Sequence, residues 1–372
     1  MKNKGVVSFL FLLLLTGCAS RSSRDLPPFA PLKEEGVFLL SPGEAGIMAA
    51  KADLSAQGLL SWRELDAAVS HSLDYIASRP SGAVALNLPG LSLRWGDLAA
   101  TLRRLRALLP RLDGSPALLA GEFFWHRLGP DFSATGYYEP TLEASRAPSA
   151  VYPHPLYRRP PELRAGVPYY TRHDIDRRRV LAGRGLELAW VRSETDAFFL
   201  QIQGSGRLAL EDGTTVHVLF SGKNNQPYRS LGRILRDEGS LSREEINMFS
   251  LRRFLAENPH RRADLLDQNP SYVFFRESQD GPRGSMGSPL TPWVSAATDP
   301  RLIPHGALLF LSLSLPASGL DRHFHALVLP QDTGGAIKGR RLDLFCGSGL
   351  EAEYAAAHLD ATAAVYVLSA KQ

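Results

Sequence analysis

Apolar residues in this chain recur at two different periods, and the change of period divides it. From Ser61, a capping box with Glu64 opens a run in which Leu65, Val69, Leu73 and Ile76 return at helical spacing. A second helix sets Leu98, Leu102, Leu105 and Leu109 on one face and is expected to stop before Pro110. Between about residues 140 and 270 strand signals take over: Leu186–Val191, Phe198–Gln203, and two runs flanking the hairpin-type turn Glu211-Asp212-Gly213. That stretch predicts a mostly β segment closed by a helix over Ser242–Glu257, opened by Ser242 with Glu245 and stopped at Asn258-Pro259. From Ser271 onward, short apolar runs at Tyr272–Phe275, Leu308–Leu313, Phe324–Leu329, Leu342–Phe345 and Ala363–Leu368 alternate with Gly and Pro turns, the rhythm of a small barrel. The fold class is therefore mainly β with helical cover.

The first residues follow a different logic. Lys2 and Lys4 precede an apolar run from Val6 to Leu15, too short to span a bilayer, and the run ends in Leu15-Thr16-Gly17-Cys18. The order is that of an export signal over residues 1–17. Small residues before Cys18 resemble the lipobox of bacterial lipoproteins, which implies acylation of Cys18 and a membrane anchor; Ala19 after it implies sorting to the outer membrane, facing the periplasm. Several acyl chains at ~0.8 kcal/mol per buried methylene give durable attachment. Residues 18–35, with Pro27-Pro28, have the composition of a tether.

With 372 residues, 44% of them hydrophobic and 22% charged, the chain has the make-up of an ordinary globular protein. The net charge of +4 is spread along the sequence, with no pattern that would organise nucleic-acid binding. Once Cys18 is assigned to lipid, Cys346 is the other cysteine, so no intramolecular disulfide is expected and Cys346 reads as a small buried hydrophobe. No His/Cys/Glu cluster has zinc-ligand spacing, and no cofactor or metal is implied.

Candidate chemistry concentrates in the last hundred residues: Asp299-Pro300, the run Gln331-Asp332-Thr333-Gly334-Gly335, and Asp343 inside Arg341-Leu342-Asp343-Leu344-Phe345. Asp343 interrupts an apolar strand. On the buried side it would be poorly hydrated, and its pKa would rise from ~3.9 toward that of a proton donor. On the outward side it would be an ordinary surface carboxylate, and alternation alone leaves both open.

Five ordered motifs bear on that choice: Thr135-Gly136-Tyr137-Tyr138-Glu139-Pro140, Gln201-Ile202-Gln203-Gly204-Ser205-Gly206, Gly222-Lys223-Asn224-Asn225, Asn269-Pro270-Ser271-Tyr272-Val273-Phe274-Phe275, and the three-aspartate segment. Together, from about residue 130 to the C-terminus, they resemble membrane-bound lytic murein transglycosylase A. The resemblance implies a double-psi β-barrel catalytic domain over residues 36–140 and 270–372, a second β domain inserted over 141–269, and a groove between them. It places the family's catalytic aspartate on Asp343, with Asp332 as its neighbour, Asp299 supporting the loop into Ile303-Pro304-His305-Gly306, and Thr135 as a hydrogen-bonding partner. Tyr137 and Tyr138 are read either as sugar-stacking faces or as junction packing. Gln203, Ser205 and Gly206 would line the groove or form a tight turn, and Lys223, Asn224 and Asn225 would bind sugar hydroxyls or a lactyl-peptide carboxylate, or else form a solvated loop.

The implied substrate is the glycan strand of peptidoglycan, cut to leave 1,6-anhydromuramic ends, with partners among the cell-wall synthesis enzymes. Glycosidases ordinarily use two carboxylates. Here Asp343 would act alone, as acid and then as base, because the sugar's own C6 hydroxyl replaces water. Two rival readings are a non-catalytic peptidoglycan-binding lipoprotein and an aspartic-protease-like enzyme using Asp332 in its single Asp-Thr-Gly.

Overall fold

The computed structural model describes residues 31–315 and 322–371. The export signal, the lipidation residue Cys18 and the tether as far as residue 30 lie outside the described residues. No helix among the described residues is long and apolar enough to cross a membrane.

Strand β1 (Gly36–Leu39) leads into a helical cover made of α1 (Pro42–Ala50), α2 (Asp66–Ala77) and α3 (Trp95–Leu112), with the hairpin β2 (Val84–Leu88) and β3 (Leu91–Arg94) between the last two. The Ser61–Glu64 capping box forms as expected, but it caps a 3-10 turn over Trp62–Leu65 that runs on into α2. In α3 the stripe of Leu98, Leu102, Leu105 and Leu109 is buried. Contrary to expectation, α3 continues through Pro110 to Leu112. A proline this close to a helix end removes one hydrogen bond, and burial of Leu108, Leu109 and Leu112 offsets that loss.

After the short helix α4 (Leu118–Glu122) comes the long strand β4 (Phe123–Glu139), which is central to the molecule. The chain then builds β5 (Thr141–Ser145), β6 (His154–Tyr157), α5 (Arg172–Asp176), β7 (Glu187–Val191), α6 (Glu194–Gln203), β8 (Ser205–Leu210) and β9 (Thr215–Lys223). There follow α7 (Leu231–Asp237), α8 (Met248–Glu257), α9 (Pro259–Asp267) and β10 (Val273–Ser278). The last part is β11 (Ser295–Ala297), β12 (Leu308–Leu315), β13 (Arg322–Asp332), β14 (Arg341–Ser348), α10 (Leu350–His358) and β15 (Asp360–Ala370).

Two sheets result. In the first, β4, β14, β11, β13, β12 and β15 pair in that order, and β15 pairs back onto β4, so the six strands close into a barrel with β1 outside on β4. The pairs β4–β14 and β11–β13 are parallel and the remaining ring pairs antiparallel. The barrel interior and the first three helices share one apolar core, in which Phe310, Val328, Leu342, Leu344 and Val367 are fully buried. The second sheet has the order β10, β9, β8, β5, β7, β6.

Three expectations for the second region change. The run Phe198–Gln203 is the body of helix α6 instead of a strand. A short apolar run suits either element, and here the caps decide: Ser193 accepts from the backbone N–H of Asp196, and Gly204 closes the helix at φ 82°. The helix expected from Ser242 starts at Met248, because Asn247 and Ser250 cap it reciprocally and only a turn forms from Ser242 to Glu245. Pro259 does stop that helix, and it opens the next one at its first position. The region is thus a sheet with several helices, and the strand near Tyr272–Phe275 joins this sheet through β9, not the barrel.

Candidate functional site

Asp343 lies in β14 between Leu342 and Leu344, both fully buried in the barrel core, so alternation turns its carboxyl to the opposite face with Arg341 and Phe345. The parallel register of β14 on β4 sets Asp343 beside Thr135, and β11 sets Ala297 on its other side. Thr135 Oγ1 donates to Asp343 Oδ1 at 2.7 Å. The carboxyl is half-buried, and burial pushes it up to about 6 against the opposing effects of the Thr135 hydroxyl and the Arg341 charge; Asp332 adds a smaller upward push. At pH 7 a group with such a pKa is protonated in ~10% of molecules, where a free aspartate would be so in ~0.1%.

Asp332, at the end of β13, accepts from Tyr137 Oη at 2.9 Å and from the backbone N–H groups of Ser285 and Thr333 at 2.8 Å each. Burial raises its pKa, and these donors oppose the rise. No hydrogen bond joins Asp332 to Asp343 among the described residues, so its relation to Asp343 is one of charge, and the shared-proton geometry of an aspartic protease is absent there. Asp299 is a loop anchor: it grips Arg301 through both carboxyl oxygens at 3.0 and 2.7 Å, accepts the Gly339 N–H at 2.9 Å, and is held well below the usual carboxylate range by these contacts.

The first motif wires several elements together. The Tyr137 ring is buried against Phe345, centroids 5.3 Å apart, with its phenol on Asp332; the Tyr138 ring is buried with its phenol 3.0 Å from Glu353. Both rings are buried, as junction packing requires. Glu139, 0% exposed, accepts from Arg207 Nε at 2.7 Å and pairs with His217 Nδ1 at 2.8 Å, tying the end of β4 to β8 and β9.

The candidate sugar binders differ in exposure and in their partners. Gln203 Oε1 accepts the Tyr138 N–H at 3.1 Å, which fixes α6 to the barrel strand. Ser205 is buried, and a Cβ on Gly206 would stand 2.4 Å from Leu200 Cδ1, so close packing dictates the glycine. Asn224 is 0% exposed, with its NH2 on the carbonyls of Tyr170 and Pro270 and its oxygen on the N–H groups of Tyr272 and Gln226. Each polar atom of this amide is bonded to backbone of the surrounding loops. Its neighbour Asn225 stands at φ 55° and bonds the carbonyls of Arg164 and Val167. Lys223 is exposed at the end of β9. Cys346 is buried against Tyr138 and Ala352, and burial pushes its thiol far up, which makes it inert.

One residue the sequence reading left without a role is Arg341, whose Nη2 lies 3.4 Å from Thr135 Oγ1. The signal was available: two positions from Asp343 on a strand is the same face.

The site is that of a closed β-barrel protein with a half-buried strand carboxyl, pushed by burial up to about 6. Residues 133–276 match the MltA specific insert domain family, and residues 294–369 match the 3D domain family. A membrane-bound lytic murein transglycosylase A from Escherichia coli is 31% identical over 317 residues, covering 75% of this chain and 83% of the relative. Its counterpart from Vibrio cholerae is 35% identical over 230 residues, 60% of this chain and 61% of the relative. The crystal structure of a membrane-bound lytic murein transglycosylase from Agrobacterium tumefaciens has the same fold, with a TM-score of 0.75 at 28% identity over 90% of this chain and 98% of that one. The chain belongs to the membrane-bound lytic murein transglycosylase A family.

Proposed function

We propose that this chain is a lytic transglycosylase that cleaves the β-1,4 bond between N-acetylmuramic acid and N-acetylglucosamine in peptidoglycan, serving cell-wall turnover from a lipid anchor at Cys18 in the outer membrane. The observation that carries the reading is the half-buried carboxyl of Asp343, raised to about 6 and oriented by Thr135. Protonated Asp343 gives its proton to the glycosidic oxygen as the bond from that oxygen to muramic C1 breaks. The C6 hydroxyl of the same sugar then closes on C1 and returns its proton to the Asp343 carboxylate. Atoms balance without water, and the enzyme ends in the state in which it began.

The parallel pairs β4–β14 and β11–β13 within the closed ring support a double-psi reading of the barrel. Residues 141–269 then form an insert whose sheet borrows β10 from the returning chain, and the glycan would run between the two.

The test is digestion of purified murein followed by mass analysis of the fragments. Anhydromuramic ends are expected; reducing ends, one water heavier, would mean ordinary hydrolysis. Asp343→Asn should retain fold and murein binding and lose turnover, and near-normal turnover in that variant would remove Asp343 from its role.

A further inference from the structure

We propose that Arg341 is a positioning residue that, through Thr135, decides which oxygen of Asp343 carries the transferable proton; the inference rests on reading Asp343 as the acid. The three side chains form a chain running one way. Arg341 has only donors, and its Nη2 lies 3.4 Å from Thr135 Oγ1. A threonine hydroxyl has one proton and two lone pairs, so with one lone pair taken by Arg341 its proton lies toward Asp343 Oδ1, 2.7 Å away. Oδ1 is thereby an acceptor in both states of the acid, and the proton that comes and goes belongs to Oδ2.

Without Arg341 nothing holds the hydroxyl in that sense. Protonated Asp343 could then donate to Thr135, locking its proton into the contact between β4 and β14 and withholding it from a sugar. The same cation steadies the carboxylate after the proton has left, the state that must accept the C6 proton. Arg341 is little committed elsewhere: its Nε is buried with no hydrogen-bond partner among the described residues.

The other groups facing Asp343 do not substitute for this. Asp332 on β13 is negative and pushes the opposite way, and Ala297 on β11 is apolar. The Tyr137 phenol on β4 and the Cys346 thiol on β14 are neutral, both pushed well up by burial. Asp360 is registered beside Thr135 from β15, on the edge of β4 away from β14 and Asp343. Tyr228, from the segment before α7, is an exposed residue that stands close enough to feel the Arg341 charge.

The experiment uses the full-length protein in detergent, with Arg341→Met, Arg341→Lys, Thr135→Val and the double variant Arg341→Met/Thr135→Val. Asp343 is followed by carbon NMR of aspartate-labelled protein, and turnover by release of muropeptides. In Arg341→Met the Asp343 titration should move to higher pH, with kcat down about tenfold and KM within about twofold, the scale of a mispositioned acid. Arg341→Lys should recover much of both. In the Thr135→Val background the Arg341→Met loss should shrink to under about threefold, since partners in one chain are not additive. An unchanged Asp343 titration in a folded Arg341→Met protein, or the full tenfold loss persisting without the Thr135 hydroxyl, overturns the proposal. If the wild-type protein leaves reducing ends, the reaction assigned above falls instead, and the titration arm still decides the role of Arg341.

Discussion

An acid held neutral by burial costs the fold stability once it ionises, and that cost can be measured. Asp343 titrates at about 6 in the folded chain. In the unfolded chain an aspartate titrates at ~3.9. The folded value is the higher, so the neutral form is favoured by folding. The contribution is fully present below ~pH 4, fades as pH rises through about 6, and is absent at pH 8. Two units at 1.36 kcal/mol each give about 3 kcal/mol between those limits. Asp343→Asn replaces the carboxyl with an amide of the same shape that never ionises and whose oxygen still accepts from Thr135. Urea unfolding should find the variant more stable than wild type by about 2–3 kcal/mol at pH 8, with the gain vanishing near pH 4. A variant of equal or lower stability at pH 8, or a gain independent of pH, would refute the burial argument and with it the reason for the raised pKa.

Three further outcomes follow from the same geometry. The rate of muropeptide release should fall as pH rises through about 6, because the proton donor is lost, and a profile flat from pH 5 to 8 would mean that another group protonates the leaving oxygen. Asn224→Ala removes an amide whose atoms all bond to backbone inside the protein; it should cost about 2–4 kcal/mol in urea unfolding while murein binding by the folded fraction stays normal, and a selective loss of binding would favour the substrate role. Gly136→Ala puts a methyl 2.9 Å from Cys346 Sγ and 3.0 Å from Ala356 Cα, which should lower stability by about 1–3 kcal/mol. Cys346→Ala should recover part of that loss in thermal melts, and no recovery would place the clash wholly on α10.

What could be read from the chain follows from what is local. Helical stripes, the Glu211-Asp212-Gly213 hairpin and the barrel strands announce themselves within a few residues, and so did the carboxyl in an apolar strand. Phe198–Gln203 misled because an apolar run of that length has no period of its own; Ser193 and Gly204, which end it, were the better guide. The Thr135–Asp343 bond joins residues 208 apart in sequence, and a parallel register creates it, which no local pattern encodes. Motif resemblance named Thr135 without giving the geometry. Asn224 and Gln203 looked like sugar ligands because an amide serves a backbone carbonyl and a hydroxyl equally well. In the fold Gln203 accepts from the Tyr138 N–H and Asn224 donates to the carbonyls of Tyr170 and Pro270, pairings that no local pattern encodes.

The pairing of Glu139 with Arg207 and His217 bears on how such a protein can be rebuilt. A carboxylate with no exposure at the end of a barrel strand has its hydrogen-bonding partners, Arg207 and His217, on the neighbouring sheet. Cutting out that sheet to make a minimal barrel would remove both partners of Glu139 and the cover that buries it. The second sheet is therefore not a detachable cassette: grafting it elsewhere, or doing without it, requires re-engineering position 139 in the same step.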